Sequence, residues 1–231
     1  MLNASRDSAS RRNNASFSHS LDVSDERSKN SCVKCDISVV LILMSNCLSY
    51  VSYILIAPFL PPRYSEKGVS PLMIGAIFAG QSMAATIWSP VVGKYLEKTG
   101  TAVWLIGGFV LMGVSFLAFG FTANMEDPTW LGISAILIRI VQGIGMGSVS
   151  TACYSIAANN YPGQTEQMIG LVEASAGLGT SAGPAFGGLL FTFLGYEKTF
   201  YTYGTINLVF ALALVFLFPK PPKNDEFMSP E

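Results

Sequence analysis

The sequence predicts an all-α membrane protein with six transmembrane helices. Three observations lead there. Hydrophobic residues make up 50% of the chain and charged residues only 13%, with a mean hydropathy of +0.43; a soluble domain usually carries about a quarter charged residues. The charges crowd into the first 36 residues, a few short connections and the end of the chain, leaving six long apolar runs between them. Those runs lack the alternation of barrel strands, and in hydrocarbon only helices or closed barrels satisfy the backbone.

The elements follow in order. Residues 1–36 are rich in Ser, Asn, Arg and Asp and poor in large apolar side chains, so they read as a disordered cytosolic tail. No apolar stretch follows the basic residues there, so a signal peptide is not expected. Cys32-Val-Lys-Cys35 has C-x-x-C spacing, but no second Cys or His pair completes a four-ligand metal site. Two free cytosolic thiols are the favoured reading, with juxtamembrane palmitoylation as the other.

The expected spans are 37–60, 72–92, 102–121, 130–156, 168–194 and 200–218. Each is near the roughly 20 residues that cross a bilayer as a helix. Pro61-Pro62-Arg63 closes the first. Gly93-Lys94-Tyr95-Leu96-Glu97-Lys98-Thr99-Gly100 reads as a tight charged turn, and Tyr161-Pro162-Gly163 as a second turn. Glu197 and Lys198 lie between the last two spans, and 220–231 forms a polar cytosolic tail. With the N-terminus in the cytosol, that side collects ten of the fourteen Lys and Arg residues. The positive-inside rule therefore places both termini in the cytosol.

Arg139 carries the strongest functional signal. It sits in one of the most apolar stretches of the chain, where a charge costs a few kcal/mol and rarely faces lipid. Arg139, Gln142, Gly143 and Met146 share one helix face by their spacing. That face serves either a buried structural clamp or a solute pathway. Glu173 is a carboxylate inside the fifth span, either hydrated near its cytosolic end or binding a proton or a cation. Around it, Ser175, Gly179, Gly183 and Gly187 form a small-residue stripe for close helix packing, and Pro184 is expected to bend the helix. Asn46, Ser49, Tyr50 and Tyr53 share a face of the first span, and Gln81 stands isolated in the second. These polar residues line a cavity or bond between helices.

Other functions are excluded or disfavoured. The net charge of −1 argues against a nucleic-acid partner. The one histidine, His19, lies in the N-terminal tail, and there is no H-E-x-x-H or paired-Asp site. No Ser–His enzyme is therefore available, and an enzyme is not expected. No filter-like loop lies within the membrane, which disfavours a channel.

Three motifs then resemble a family. Arg139-Ile-Val-Gln142-Gly143-Ile-Gly145 resembles the R-x-x-Q-G-x-G motif on the fourth helix of the major facilitator superfamily. The series Gly177, Gly183, Pro184, Gly187, Gly188 is similar to that superfamily's fifth-helix antiporter motif. Gly93, Glu97, Lys98 and Gly100 are similar to its G-x-x-x-D-R-x-G signature between helices two and three. The fifth span further resembles the vesicular amine and polyamine transporters and related drug:proton antiporters.

The resemblance implies a fold of the major-facilitator type, of which this chain looks like the N-terminal six-helix half. It implies proton-coupled antiport of a small organic cation and no cofactor. Arg139, Gln142, Glu173, Asn46, Tyr50 and Gln81 would line the solute and proton pathway. Gly143, Gly177, Gly183, Pro184, Gly187 and Gly188 would serve packing and bending, and the Gly93, Glu97, Lys98, Gly100 group a cytosolic gate. Such carriers rock two six-helix halves against each other. Transport is thus expected to need a homodimer or a separate second half, within a lipid bilayer. The alternative is a truncated, non-transporting paralogue that binds or regulates a full-length carrier.

Overall fold

The structure, a computed structural model, describes residues 37–217. The expected tails, His19, Cys32 and Cys35 lie outside the described residues.

Helix α1 covers Ile37–Ile54. It was expected to run to residue 60, but Pro58, Pro61 and Pro62 lack the N–H that a continuing helix needs. The chain turns instead: Ala57 N–H donates to Ile54 O over 2.9 Å. A short helix α2, Leu60–Glu66, then starts with prolines in its first turn, where the missing donors are unpaired anyway.

Helix α3 covers Pro71–Thr99, capped by the Ser70 side chain, which accepts from Met73 N–H. It runs straight through the stretch expected to be a turn. Residues 94–98 include good helix formers, and Val92 and Leu96 are buried against the bundle. The stop is a single residue. Gly100 has φ 83° and ψ 147°, a left-handed conformation that an L side chain resists. Helix α4, Thr101–Phe121, follows at once.

A 3-10 turn, Thr122–Asn124, leads to α5, Pro128–Asn159. The Asp127 carboxylate caps α5, accepting from Thr129 N–H at 2.8 Å and Trp130 N–H at 3.3 Å. An Asp127→Ala variant should lose about 1 kcal/mol of stability, read as a lower thermal midpoint in detergent. An unchanged midpoint would show the cap contributes nothing.

The last helical stretch, Thr165–Leu217, is broken by non-helical backbone at Gly195, with φ 74° and ψ 179°. That region of backbone space is open essentially to glycine alone. It divides α6, 165–194, from α7, 196–217. The break lies at Gly195, between the expected fifth and sixth spans, and Pro184 stays within α6. Glu197 and Lys198, expected in a loop, belong to the first turn of α7.

Every regular element among the described residues is a helix, and all but α2 are long or apolar enough for a span. Small residues set the packing. Gly108 of α4 and Gly145 of α5 meet backbone to backbone, and Gly113 of α4 meets Gly204 and Leu208 of α7. Gly179, Gly183 and Gly187 of α6 lie against Cys47, Val51 and Ile54 of α1 and Leu55 just past its end. At one end of the bundle an aromatic core fills the space, with Phe59 stacked on Phe191 at 4.9 Å and Phe119 on Phe200 at 5.2 Å.

Candidate functional site

The site is built by how closely α3 can approach α5. A Cβ at Gly143 would strike the carbonyl oxygen of Gln81, and one at Gly147 would lie 2.8 Å from that of Ala85. Only glycine lets the two backbones meet there. This contact carries the Gln81 side chain to Arg139.

Arg139 is completely buried, about 17 Å along α5 from its start. Its Nη1 donates to Gln81 Oε1, to Gln142 Oε1 at 3.0 Å and to the Tyr53 carbonyl at 3.4 Å. Three helices thus hold one guanidinium. Two aromatic rings sit beside it, Phe78 at 5.5 Å and Phe119 at 5.8 Å, within the range where a ring face attracts a cation. Its Nε and Nη2 have no hydrogen-bond acceptor. The supporting amides are anchored in turn. Gln142 Nε2 donates to Ser52 O at 3.2 Å, and Gln81 Nε2 lies 3.9 Å from the Met146 sulfur.

Burying a cation is costly unless it is paired. Among the described residues no carboxylate meets Arg139 in its hydrogen bonds; amides, a carbonyl and ring faces do. The arrangement keeps a positive charge inside the bundle while leaving two of its nitrogens uncommitted.

Glu173 lies elsewhere. Its Oε2 accepts from the Tyr154 hydroxyl. Tyr154 is about four turns, roughly 22 Å, further along α5 than Arg139, so the two charged groups are held by different residues. Tyr50 stands close to Tyr154, Ser150 and Glu173. Asn46 sets the register of this corner, with Nδ2 donating to Val172 O at 2.8 Å and to Ser175 Oγ at 3.0 Å. Glu173 is exposed on the surface of the bundle.

The sequence-derived residues therefore fall into separate groups. Arg139, Gln142 and Gln81 converge, so Gln81 is not isolated. Tyr50 and Glu173 form a second cluster, while Asn46 ties α1 to α6. Gly183 and Gly187 pack on α1, whereas Gly177 and Gly188 have open space where a Cβ would stand. Gly93 is likewise open, and Glu97 and Lys98 are exposed at the end of α3. Tyr154, Phe78 and Phe119 were not singled out from the sequence. Each matters through contacts between helices, which spacing along one helix does not report.

Comparison with known proteins adds to this geometry. A family model described as Major Facilitator Superfamily matches residues 42–230. The MFS-type transporter SLC18B1 of Mus musculus is 35% identical over 170 residues, covering 73% of this chain and 37% of the relative. The Homo sapiens protein of the same name is 28% identical, covering 75% of this chain and 38% of its own length. The vesicular acetylcholine transporter of Rattus norvegicus is 28% identical over 158 residues, 68% of this chain and 28% of that one. The chain thus spans less than two fifths of the curated relatives it matches.

Proposed function

The chain belongs to the major facilitator superfamily, and from that premise we propose that its bundle forms one side of a proton-coupled antiporter for a small organic cation. It is an integral membrane protein of a transporter family, and its matched relatives are named as transporters, not enzymes.

The observation that carries the proposal is the fully buried Arg139, gripped by α1, α3 and α5 at once. A fixed internal charge joined to three helices makes the cavity polarity depend on how those helices sit. Any rocking that parts α1 or α3 from α5 alters its hydrogen bonds. Gln81, Gln142 and Asn46 then serve as the polar lattice of the pathway.

Glu173 takes the proton or the cation. The phenol rings of Tyr50 and Tyr154 beside it suit a cationic head group, because ring faces attract cations. One carboxylate that binds either a proton or a cation, never both, is the simplest exchange device. Gly183 and Pro184 serve the α6 packing that seals one side. Gly93, Glu97, Lys98 and Gly100, at the α3–α4 junction, serve as a gate. The partners are protons, an organic cation, the bilayer, and a second six-helix half or another copy of the chain. Both termini are assigned to the cytosol from the distribution of Lys and Arg.

The test is Glu173→Gln in proteoliposomes with an imposed pH gradient, using a fluorescent organic cation and a polyamine. Uptake should lose its pH dependence. Uptake with an unchanged pH profile removes Glu173 from proton coupling.

A further inference from the structure

A cavity of about 440 Å³, lined by Arg63, Asn124, Phe191, Leu194, Tyr196, Glu197 and Lys198 among others, lies at the end of α6 remote from Glu173. It sits where three connections gather: α2, the 3-10 turn between α4 and α5, and the α6–α7 break at Gly195. Successive spans alternate in direction, so these connections share one end of the bundle, opposite the α3–α4 junction.

The walls are braced. Lys67 Nζ donates to the carbonyls of Ala123 at 2.8 Å and Met125 at 2.7 Å, tying α2 to the 3-10 turn. The Arg63 guanidinium lies 5.1 Å from the Tyr196 ring centroid, and the Tyr196 hydroxyl is 3.5 Å from that of Tyr64. Arg63 is therefore oriented by stacking and not by a carboxylate. Its Nε is buried without an acceptor. Lys198 adds an ammonium and Asn124 an amide to the same wall. The one carboxylate there, Glu197, lies beside the Tyr201 hydroxyl. Two cations face one anion, which is the wrong sign for an organic cation and the right one for an oxyanion. Phe191 and Leu194 make the remaining wall apolar.

We propose that this cavity binds a phosphate group, supplied by free phosphate or by the headgroup of an anionic phospholipid. Arg63, Lys198 and Asn124 donate to its oxygens, and charge-assisted bonds of this kind are the strong ones. Occupancy bridges α2, the 3-10 turn and α7, and so braces the corner at Gly195. The site is independent of the transport reading above.

The full chain, purified in detergent, is melted with inorganic phosphate against chloride of equal ionic strength. In parallel it is reconstituted with phosphatidylglycerol or phosphatidylcholine, and retained lipid is counted by native mass spectrometry. Phosphate should raise the melting midpoint, or phosphatidylglycerol should be retained preferentially; the arm that responds identifies the source. Lys198→Gln and Arg63→Gln should each weaken the response about tenfold. Arg63→Gln also loses the Tyr196 stacking and is checked for helicity; Lys198 is exposed, so its variant keeps the fold. No response in either arm, or a response that both variants preserve, overturns the proposal.

Discussion

An Arg139→Ala variant is expected to lose transport to background while the chain still inserts as helices. The guanidinium is the largest fully buried side chain in the bundle. Removing it strips donors from Gln81 Oε1 and Gln142 Oε1, each left unpaired at about 1–3 kcal/mol. The void adds about 2–5 kcal/mol, as for other large buried truncations. Relief from burying a charge returns about 3 kcal/mol on insertion scales. The balance is a destabilisation of a few kcal/mol, enough to loosen α1 and α3 from α5 without unfolding the spans. Arg139→Lys separates charge from geometry, since one ammonium keeps the charge but not the fork of donors. It should also transport poorly. Uptake in proteoliposomes and elution by size exclusion give the two readouts. A fully active, monodisperse Arg139→Ala protein would contradict the role assigned to the residue.

The second large effect is expected at Gly187. A Cβ there would strike the carbonyl oxygen of Leu55, with two further Leu55 atoms at 3.0 Å. The obstacle is mostly backbone, so α1 and α6 must move apart. Gly187→Val should cost about 1–3 kcal/mol, lowering the thermal midpoint by roughly 2–12 °C for a bundle of this size. Gly188→Val, one residue along, has nothing within 4 Å of its Cβ and should leave the midpoint within about 1 °C. Equal melting of the two variants would mean that α1 and α6 do not meet at this distance.

That contrast shows where sequence reading stops. Both glycines belong to the same antiporter-type motif, yet one packs and the other does not. The Ser175, Gly179, Gly183, Gly187 stripe was legible because residues four apart share a helix face. All four members lie against α1 or its end. Gln81 was harder. Its neighbours in sequence are small and apolar, so it reads as isolated; its role depends on Gly143 drawing α3 onto α5. The α3 helix runs through residues 93–99 because a cluster of charges does not by itself end a helix, whereas left-handed backbone at Gly100 does. The break at Gly195 falls between the expected fifth and sixth spans, where Glu197 and Lys198 interrupt the apolar run, while Pro184 stays within α6.

The chain alone determined that this is a helical membrane protein of six spans, with a charge buried in one and small residues along another. Those properties rest on local quantities: apolar length against bilayer thickness, and a repeat of 3.6 residues per turn. Tertiary structure alone decided that Arg139 is held by Gln81 and Tyr53, that Glu173 meets Tyr154, and which motif glycines touch a neighbour. Periodicity orients side chains around one helix axis. It leaves free the rotation and depth of each helix against the others, and those are settled only when the whole bundle packs.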